Sequence, residues 1–347
     1  MHFEIVALEA QHQPLFETLD LPPNTTFTLT KYTTTSTRDE LHARIREADV
    51  VIVTTVTLDA ETLSHDVTPR LRYVIVSATG TDCVDLQSCK ARAIRVCNCP
   101  GANLETVSEH AISLYFAARR RTVLLDQVTR RQPSEWKQKG SVNTYMRLPD
   151  GKPPLTCGDE ILGIVGYGGL GKRIAAVGTA LGMKVLVAAR KPSSDPSSDN
   201  ARGAILLPNR EDGRVPFDDV LQQATVIVLS LPRTPQTLNL LSAAEFEKMH
   251  PYAVLINIAR GGIVDETALV QALRERRLAG YATDVYQVEP VGDPADTPLL
   301  AENAKDLNIT LSPHLAWFSQ RTIKNLGEIL KATVEAALQG KDTNVIV

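Results

Sequence analysis

Short runs of apolar residues rich in Val, Ile and Leu alternate along this chain with longer stretches whose apolar positions recur every third or fourth residue. That alternation predicts an α/β protein with parallel sheets. Strands are predicted at Phe3–Leu8, Thr26–Tyr32, Val50–Thr54, Tyr73–Val76 and Arg95–Cys97, with a helix over Thr37–Ala48. Five short strands joined by crossovers predict a small doubly wound sheet. A long helix follows over Leu104–Arg121, and its basic end (Arg119, Arg120, Arg121) suits a helix C-terminus. After a polar loop the alternation restarts at Ile161–Val165 and runs through Lys184–Ala189, Val226–Leu229, Ala253–Ile258, Gly280–Asp284 and Ile309–Leu311, which predicts a second sheet of six strands. Lys191–Asn200 (KPSSDPSSDN) reads as a surface loop. A last helix, Gln320–Leu338, is expected to fold back onto the first sheet and make that domain discontinuous.

At 347 residues the chain is natural for two domains. Its 43% hydrophobic and 22% charged residues place it among globular proteins. A formal charge of −3 offers no electrostatic footprint for nucleic acid or an anionic membrane, so neither is an expected partner, and any bound anion needs a local site. The opening residues lack the basic and apolar regions of a signal peptide, and no run approaches the roughly 18 apolar residues of a membrane span. The expected address is the cytoplasm. The five cysteines, Cys83, Cys89, Cys97, Cys99 and Cys157, have no metal-site spacing, and no metal is expected. Cys97 and Cys99 are expected to share one strand face as small hydrophobes.

The sharpest local signal is Ile161–Gly171 (ILGIVGYGGLG), an apolar strand running into G-x-G-x-x-G, with a helix-compatible segment at Lys172–Leu181. Gly166 permits the tight turn, Gly168 lets backbone approach a pyrophosphate, and Gly171 allows close helix–strand packing. The helix N-terminus then presents unpaired N–H groups to the phosphates. The second strand of such a unit ends in an acid when the cofactor is NAD, because a carboxylate binds the ribose 2′-hydroxyl. Here Ala189 stands in that place, followed by Arg190 and Lys191, with Ser193 and Ser194 nearby. Two cations suit a 2′-phosphate, so NADP(H) is expected over NAD(H).

Three downstream segments carry groups suited to chemistry. Arg260 follows the strand at Ala253–Ile258, Asp284 and Glu289 stand at and beyond the next strand end, and His314 follows the last strand. In an open parallel sheet such positions line the ligand crevice. Reduction of a 2-oxo acid needs a cation for the carboxylate, a proton donor for the carbonyl oxygen and a positioned hydride. Arg260 has the planar fork for the first. His314 titrates in the right range for the second, and Glu289 beside it favours imidazolium. The hydride belongs to the cofactor. Singly, Arg260 also reads as a surface charge at a helix start, and His314 as a satisfied core histidine.

Together these motifs resemble the D-isomer-specific 2-hydroxyacid dehydrogenase family, and within it the pattern of the NADP-preferring glyoxylate/hydroxypyruvate reductases. The resemblance runs through Gly80–Asp85 (GTDCVD), Asn98–Asn103 (NCPGAN), Val107–His110 (VSEH), the glycine loop, Leu231–Thr237 (LPRTPQT), the Arg260 run, Asp284–Pro290 (DVYQVEP) and Pro313–His314. It implies that Arg260, Glu289 and His314 are the catalytic set. It also implies that backbone N–H groups around Ala78, Thr79 and Gly80 hold the substrate carboxylate, with Asn103 near the substrate and the hinge. Asp284 is expected to bond the nicotinamide carboxamide, and Ser230, Pro232 and Thr237 to line the cofactor, as are Gly169, Leu170, Ile258 and Ala259. The implied fold is a Rossmann cofactor domain, 104–314, inserted in a discontinuous flavodoxin-like substrate domain, 1–103 and 315–347, with the active site in the cleft. A homodimer through the cofactor domain is implied, with Leu104–Arg121 and the segment containing Trp136 as interface candidates. Glu289 argues against formate dehydrogenases, which carry glutamine there. The family also holds corepressors that use the fold as an NAD(H)-dependent scaffold for peptide motifs; the lost acid at Ala189 favours a reductase acting on a small 2-oxo acid. Trp317 reads either as a gate for bulky substrates or as packing.

Overall fold

The computed structural model describes residues 1–192 and 213–347; Ser193, Ser194 and the remainder of the loop expected over Lys191–Asn200 lie outside the described residues. The chain divides into two compact units, Met1–Asn103 with Phe318–Val347, and Leu104–Trp317. Each is an α/β layer structure on one parallel sheet.

In the first unit the strands are β1 (His2–Ala7), β2 (Thr26–Lys31), β3 (Val50–Val53), β4 (Tyr73–Val76) and β5 (Arg95–Cys97), ordered β2-β1-β3-β4-β5. Helices α1 (Arg38–Ile45) and α2 (Leu86–Ala91) connect them. Strands β3 and β4 are buried at every position, as central parallel strands must be when both faces are covered. Edge strand β2 is half exposed. The opposite edge is closed by the chain's own end, where Val345 bridges Cys97 antiparallel and Ile346 N–H donates to the Val96 carbonyl at 2.7 Å. Helix α1 is shorter than its apolar pattern predicts: Thr37 is the N-cap of a capping box with Glu40, outside the helix it starts. Cys99 falls beyond β5, so it does not share a strand face with Cys97, although both are buried.

The second unit begins with α3 (Leu104–Arg120), α4 (Thr122–Arg130) and α5 (Glu135–Lys139). Then come β6 (Ile161–Val165), α6 (Gly169–Ala180), β7 (Lys184–Val187), α7 (Phe217–Gln223), β8 (Val226–Leu229), α8 (Ala243–Phe246), β9 (Val254–Asn257), α9 (Glu266–Arg274), β10 (Gly280–Thr283) and β11 (Ile309–Leu311). The sheet order is β11-β10-β9-β8-β6-β7, all parallel. Beyond β7 a parallel bridge pairs Ala188 with Val215, so the outer position of the doubly wound sheet holds a bridge rather than a strand among the described residues. Alternate strand residues feed opposite faces. Leu162, Ile164, Val226, Val228, Val254 and Ile256 pack with Val107, Ala111, Leu114 and Ile174 of α3 and α6. Val165, Ile227, Leu229 and Leu255 pack with Val220, Phe246 and Leu269 of α7, α8 and α9. Period 2 in the strands and period 3.6 in the helices therefore build two cores on one sheet. Helix α6 starts earlier than expected, taking Gly169, Leu170 and Gly171 into its first turn. Glycine is a poor helix former, and packing overrides that preference here.

Helix α3 is fixed to the sheet by a buried ion pair. Arg119, 3% exposed, meets Glu160, 1% exposed, through Nε–Oε1 at 2.5 Å and Nη2–Oε2 at 3.0 Å. The guanidinium also donates to the carbonyls of Thr225 (2.9 Å) and Tyr252 (3.0 Å), and Tyr115 and Thr225 hydroxyls donate to the carboxylate. Arg119→Met leaves the carboxylate buried without its counter-charge and should cost about 3–5 kcal/mol in urea unfolding. Adding Glu160→Leu should recover most of that loss; a double variant no more stable than the single one would show that the two charges are not coupled.

Candidate active site

All strands in each sheet run parallel, so their C-terminal ends share one edge, and the chemistry-bearing loops leave from it. In the second unit β6 runs into Gly166, whose φ is 100° and whose missing side chain lets it lie against the Ser230 carbonyl after β8. Gly171 packs on the Gly166 carbonyl, where a Cβ would overlap it. Nothing lies within 4 Å of where a Cβ would stand on Gly168, the N-cap of α6. That helix has no side-chain cap and no acid in its first turn. A turn closed from behind and open in front, with unpaired helix N–H groups, fits a dinucleotide pyrophosphate. Ser230 supports the turn by donating to the Gly166 carbonyl at 2.6 Å. Thr237 is tied within its own loop: it accepts from Thr234 N–H (2.8 Å) and donates to the Pro232 carbonyl (2.8 Å).

At the β7 end Ala189 N–H donates to the Val215 carbonyl at 2.8 Å, and Arg190 is exposed. Lys191 is committed elsewhere. Its ammonium lies 2.9 Å from the carboxylate of Glu245, a residue 5% exposed on α8, and donates to the Leu240 carbonyl at 3.1 Å. The two cations adjacent in sequence thus have different settings.

The loops after β9, β10 and β11 carry Arg260, Glu289 and His314. Ile258 and Ala259 are buried, and Asn257 folds the β9 loop on itself by accepting from Ala259 N–H (3.1 Å) and donating to the Arg260 carbonyl (3.0 Å). Gly261 then passes so close to the Tyr286 carbonyl that no Cβ fits. This presses the Arg260 loop against the loop of Glu289. Glu266 braces the same loop from α9, accepting from Gln287 N–H at 3.0 Å and from the Thr297 hydroxyl at 2.5 Å.

His314 Nδ1 lies 2.6 Å from Glu289 Oε2, and Tyr286 N–H donates to Oε1 of the same carboxylate at 2.8 Å. The hydrogen bond to Glu289 raises the imidazole pKa above its ordinary value, outweighing burial and the nearby charge of Arg260. Burial works against ionisation of Glu289. The imidazole bond and charge, the Tyr286 N–H and Arg260 together still hold its carboxyl below the usual range. The pair is therefore arranged as imidazolium and carboxylate, with a guanidinium whose field reaches both. The imidazole is 44% exposed, so His314 is open to a reactant and is not a sealed core residue. Its backbone φ is 54°, in the left-handed region that few non-glycine residues adopt. Asp284, 1% exposed, holds that turn by accepting from Leu315 N–H (3.0 Å), Ala316 N–H (2.7 Å) and the Ser312 hydroxyl (2.7 Å). The Trp317 indole donates to the His314 carbonyl at 3.0 Å and packs on the core shared by α3 and α6. The bracing acids Glu266 and Asp284 arise differently in sequence. Asp284 stands at a strand end, a position the sequence singled out, whereas Glu266, behind the N-cap Asp265, reads as a helix-start acid.

In the first unit the corresponding strand ends present backbone. Among the described residues no acceptor meets the N–H groups of Ala78, Thr79 or Gly80, which follow β4. Their carbonyls are engaged: Cys99 N–H donates to Ala78 (2.9 Å) and the Asn98 amide to Thr79 (2.6 Å). The Thr79 hydroxyl lies 3.3 Å from the Asn103 side-chain oxygen. Such a run of free donors suits a carboxylate. Sequence reasoning missed Glu9, 4% exposed just past β1, whose carboxylate accepts from the N–H groups of Thr54 (2.6 Å), Thr55 (2.9 Å) and Val56 (3.3 Å) and shapes the loop after β3. Its position one residue beyond an apolar strand was the available signal.

Comparison with known proteins agrees with this geometry. Residues 112–316 match the family described as "D-isomer specific 2-hydroxyacid dehydrogenase, NAD binding domain". The chain is 37% identical over 317 residues to the glycerate dehydrogenase of Methylorubrum extorquens, covering 91% of each. It is 31% identical over 309 residues to the glyoxylate reductase of Aeropyrum pernix, covering 87% of this chain and 84% of that one. Among solved structures, an acyclic imino acid reductase in complex with NADPH and D-Arg aligns over 99% of this chain and 100% of that one, with a TM-score of 0.74 and 25% identity. With a parallel dinucleotide-binding sheet, the Arg–Glu–His loops at its C-terminal edge and a relative 37% identical over 91% of its length, the chain belongs to the D-isomer specific 2-hydroxyacid dehydrogenase family of oxidoreductases.

Proposed function

We propose that this protein reduces a small 2-oxo acid to the D-2-hydroxy acid, with NADP(H) preferred over NAD(H). The observation that carries the reading is the 2.6 Å His314–Glu289 pair beside Arg260 at the strand ends. When bound, the nicotinamide supplies the hydride that adds to the carbonyl carbon. As the carbonyl π electrons move onto oxygen, the imidazolium of His314 gives that oxygen its proton through Nε2, the nitrogen not engaged by Glu289. Glu289 keeps the imidazole charged before transfer and orients the ring throughout. Arg260 offsets the negative charge of the substrate carboxylate and of the oxygen. Glycerate dehydrogenase and glyoxylate reductase relatives support glyoxylate and hydroxypyruvate as substrates.

The cofactor preference rests on Ala189 in place of an acid and on Arg190. Because Lys191 already pairs with Glu245, Arg190 is the residue that reads the 2′-phosphate. A homodimer through the second unit accords with Trp136, which is 55% exposed.

Consumption of NADPH and NADH against glyoxylate, hydroxypyruvate, pyruvate and bulkier 2-oxo acids should show turnover with NADPH, and a D-hydroxy acid from every acid whose product is chiral. Cofactor binding with no turnover on any acid would instead point to a scaffold. Arg190→Ala should raise KM for NADPH about tenfold or more while leaving KM for NADH near its starting value, and Lys191→Ala should discriminate little. Equal efficiency of wild-type protein with both cofactors would remove the preference.

The pH profile follows from the raised His314 pKa. Reduction needs imidazolium, so kcat/KM should hold at low pH and fall as pH rises through a value above the ordinary imidazole range. Glu289→Gln removes the charge that favours imidazolium, and the fall should move to lower pH. An unmoved limb in that variant would detach Glu289 from the titration.

A further inference from the structure

His314 is held by more than its ion pair. The chain takes a left-handed turn at this residue, and the two N–H groups that follow, on Leu315 and Ala316, donate to one buried carboxylate, Asp284. The third donor to that carboxylate comes from the other side of His314, the hydroxyl of Ser312 at 2.7 Å. Asp284 therefore closes a ring that brackets His314, with side-chain contact before it and backbone contact after it. Tyr286 adds a strut, donating its hydroxyl to the Ser312 carbonyl at 3.0 Å.

The direction of the next bond follows from proton counting. Ser312 has one hydroxyl hydrogen. A charged acceptor at 2.7 Å takes it in preference to the Thr283 carbonyl at 3.4 Å. The contact between Ser312 Oγ and His110 Nε2, 2.9 Å, must then run the other way, with Nε2–H donating to Oγ. The chain of donors is His110 to Ser312 to Asp284, and it ends at the turn that carries the imidazole. His110 stands on α3, the helix pinned at its far end by the Arg119–Glu160 pair.

We infer that Ser312, oriented by His110, is a positioning residue that aims His314 at its reactant through the Asp284 ring. This rests on the reading of His314 as proton donor, and it makes the preceding serine and a helix histidine part of that residue's support. The groups that face the imidazole are Glu289 and Asp284 from the β10 side, which favour its charge, and Arg260 from the β9 side, which disfavours it. A loosened ring lengthens the Glu289 contact and so reduces the favouring influence.

The test uses the full-length protein carrying Ser312→Ala, Ser312→Thr or His110→Phe. Ser312→Ala should lower kcat for 2-oxo acid reduction by about tenfold to a hundredfold with a smaller change in KM. The descending limb of its pH profile should move to lower pH, and Ser312→Thr, which keeps the hydroxyl, should return most of both. NADPH binding, followed by nucleotide fluorescence, should persist. An NMR titration of the His314 ring in wild type and variants reads the same effect without turnover, so it stands even if no 2-oxo acid is reduced. A His314 titration lowered in Ser312→Ala, and in His110→Phe should the alanine variant fail to fold, supports the inference. An unchanged titration in the folded variant, or a kcat loss explained wholly by a smaller active fraction, overturns it.

Discussion

The close passage of Gly261 under the Tyr286 carbonyl is the constraint on which the rest of the site depends. Strand spacing fixes β9 and β10 about 4.8 Å apart along the hydrogen-bonding direction. Beyond the strand ends nothing in the ladder keeps the loops together. A residue without a side chain lets the two backbones stay in contact past the sheet, and that contact places a guanidinium and a carboxylate from different loops within each other's field. Glu266 then braces the outer loop from α9, and Asn257 folds the inner one. Packing of backbone on backbone comes first, and the electrostatics are built on it.

Charge in this second unit is handled in contrasting ways. Arg119 and Glu160 are sealed from water and saturated with hydrogen bonds, which makes their pairing costly to break and fixes α3. Glu289 and His314 form a pair of similar closeness that stays partly open, with 32% and 44% of their side chains exposed. The first arrangement suits permanence. The second leaves the imidazole ring open to solvent while the carboxylate still biases its charge. Asp284 lies between these extremes, since it is buried like Glu160 but spends its acceptors on the backbone of a functional turn.

Much of this was legible in the sequence, and the remainder was hidden for identifiable reasons. Strands β3, β4, β8 and β9 are continuous apolar runs buried at every position, so the sequence located them and indicated a parallel sheet, while the strand order came only from the structure. That the loops of Arg260, Glu289 and His314 meet at one sheet edge was legible because strand-end positions in a parallel sheet converge whatever their separation in sequence. The setting of Lys191 was not readable: its partner Glu245 lies far along the chain on α8, and adjacency to Arg190 invited a shared role. The start of α6 was misplaced because glycine's low helix propensity is a local property, whereas the packing that places Gly171 in the helix comes from the turn at Gly166 beyond β6. Glu9 and Ser312 carry no motif of their own, and their importance arises only when separate strand ends meet.

The left-handed backbone at His314 has an evolutionary side. A side chain in that region costs on the order of 1 kcal/mol or more, and glycine would remove the cost. Under the proposed proton transfer, backbone ease and chemistry place opposite demands on this one position. Stabilising substitutions drawn from backbone preference alone would put glycine here, as at Ala93, Arg121 or Arg276, and would erase the imidazole. Any effort to harden this fold should accordingly leave that residue strained and seek its gains elsewhere.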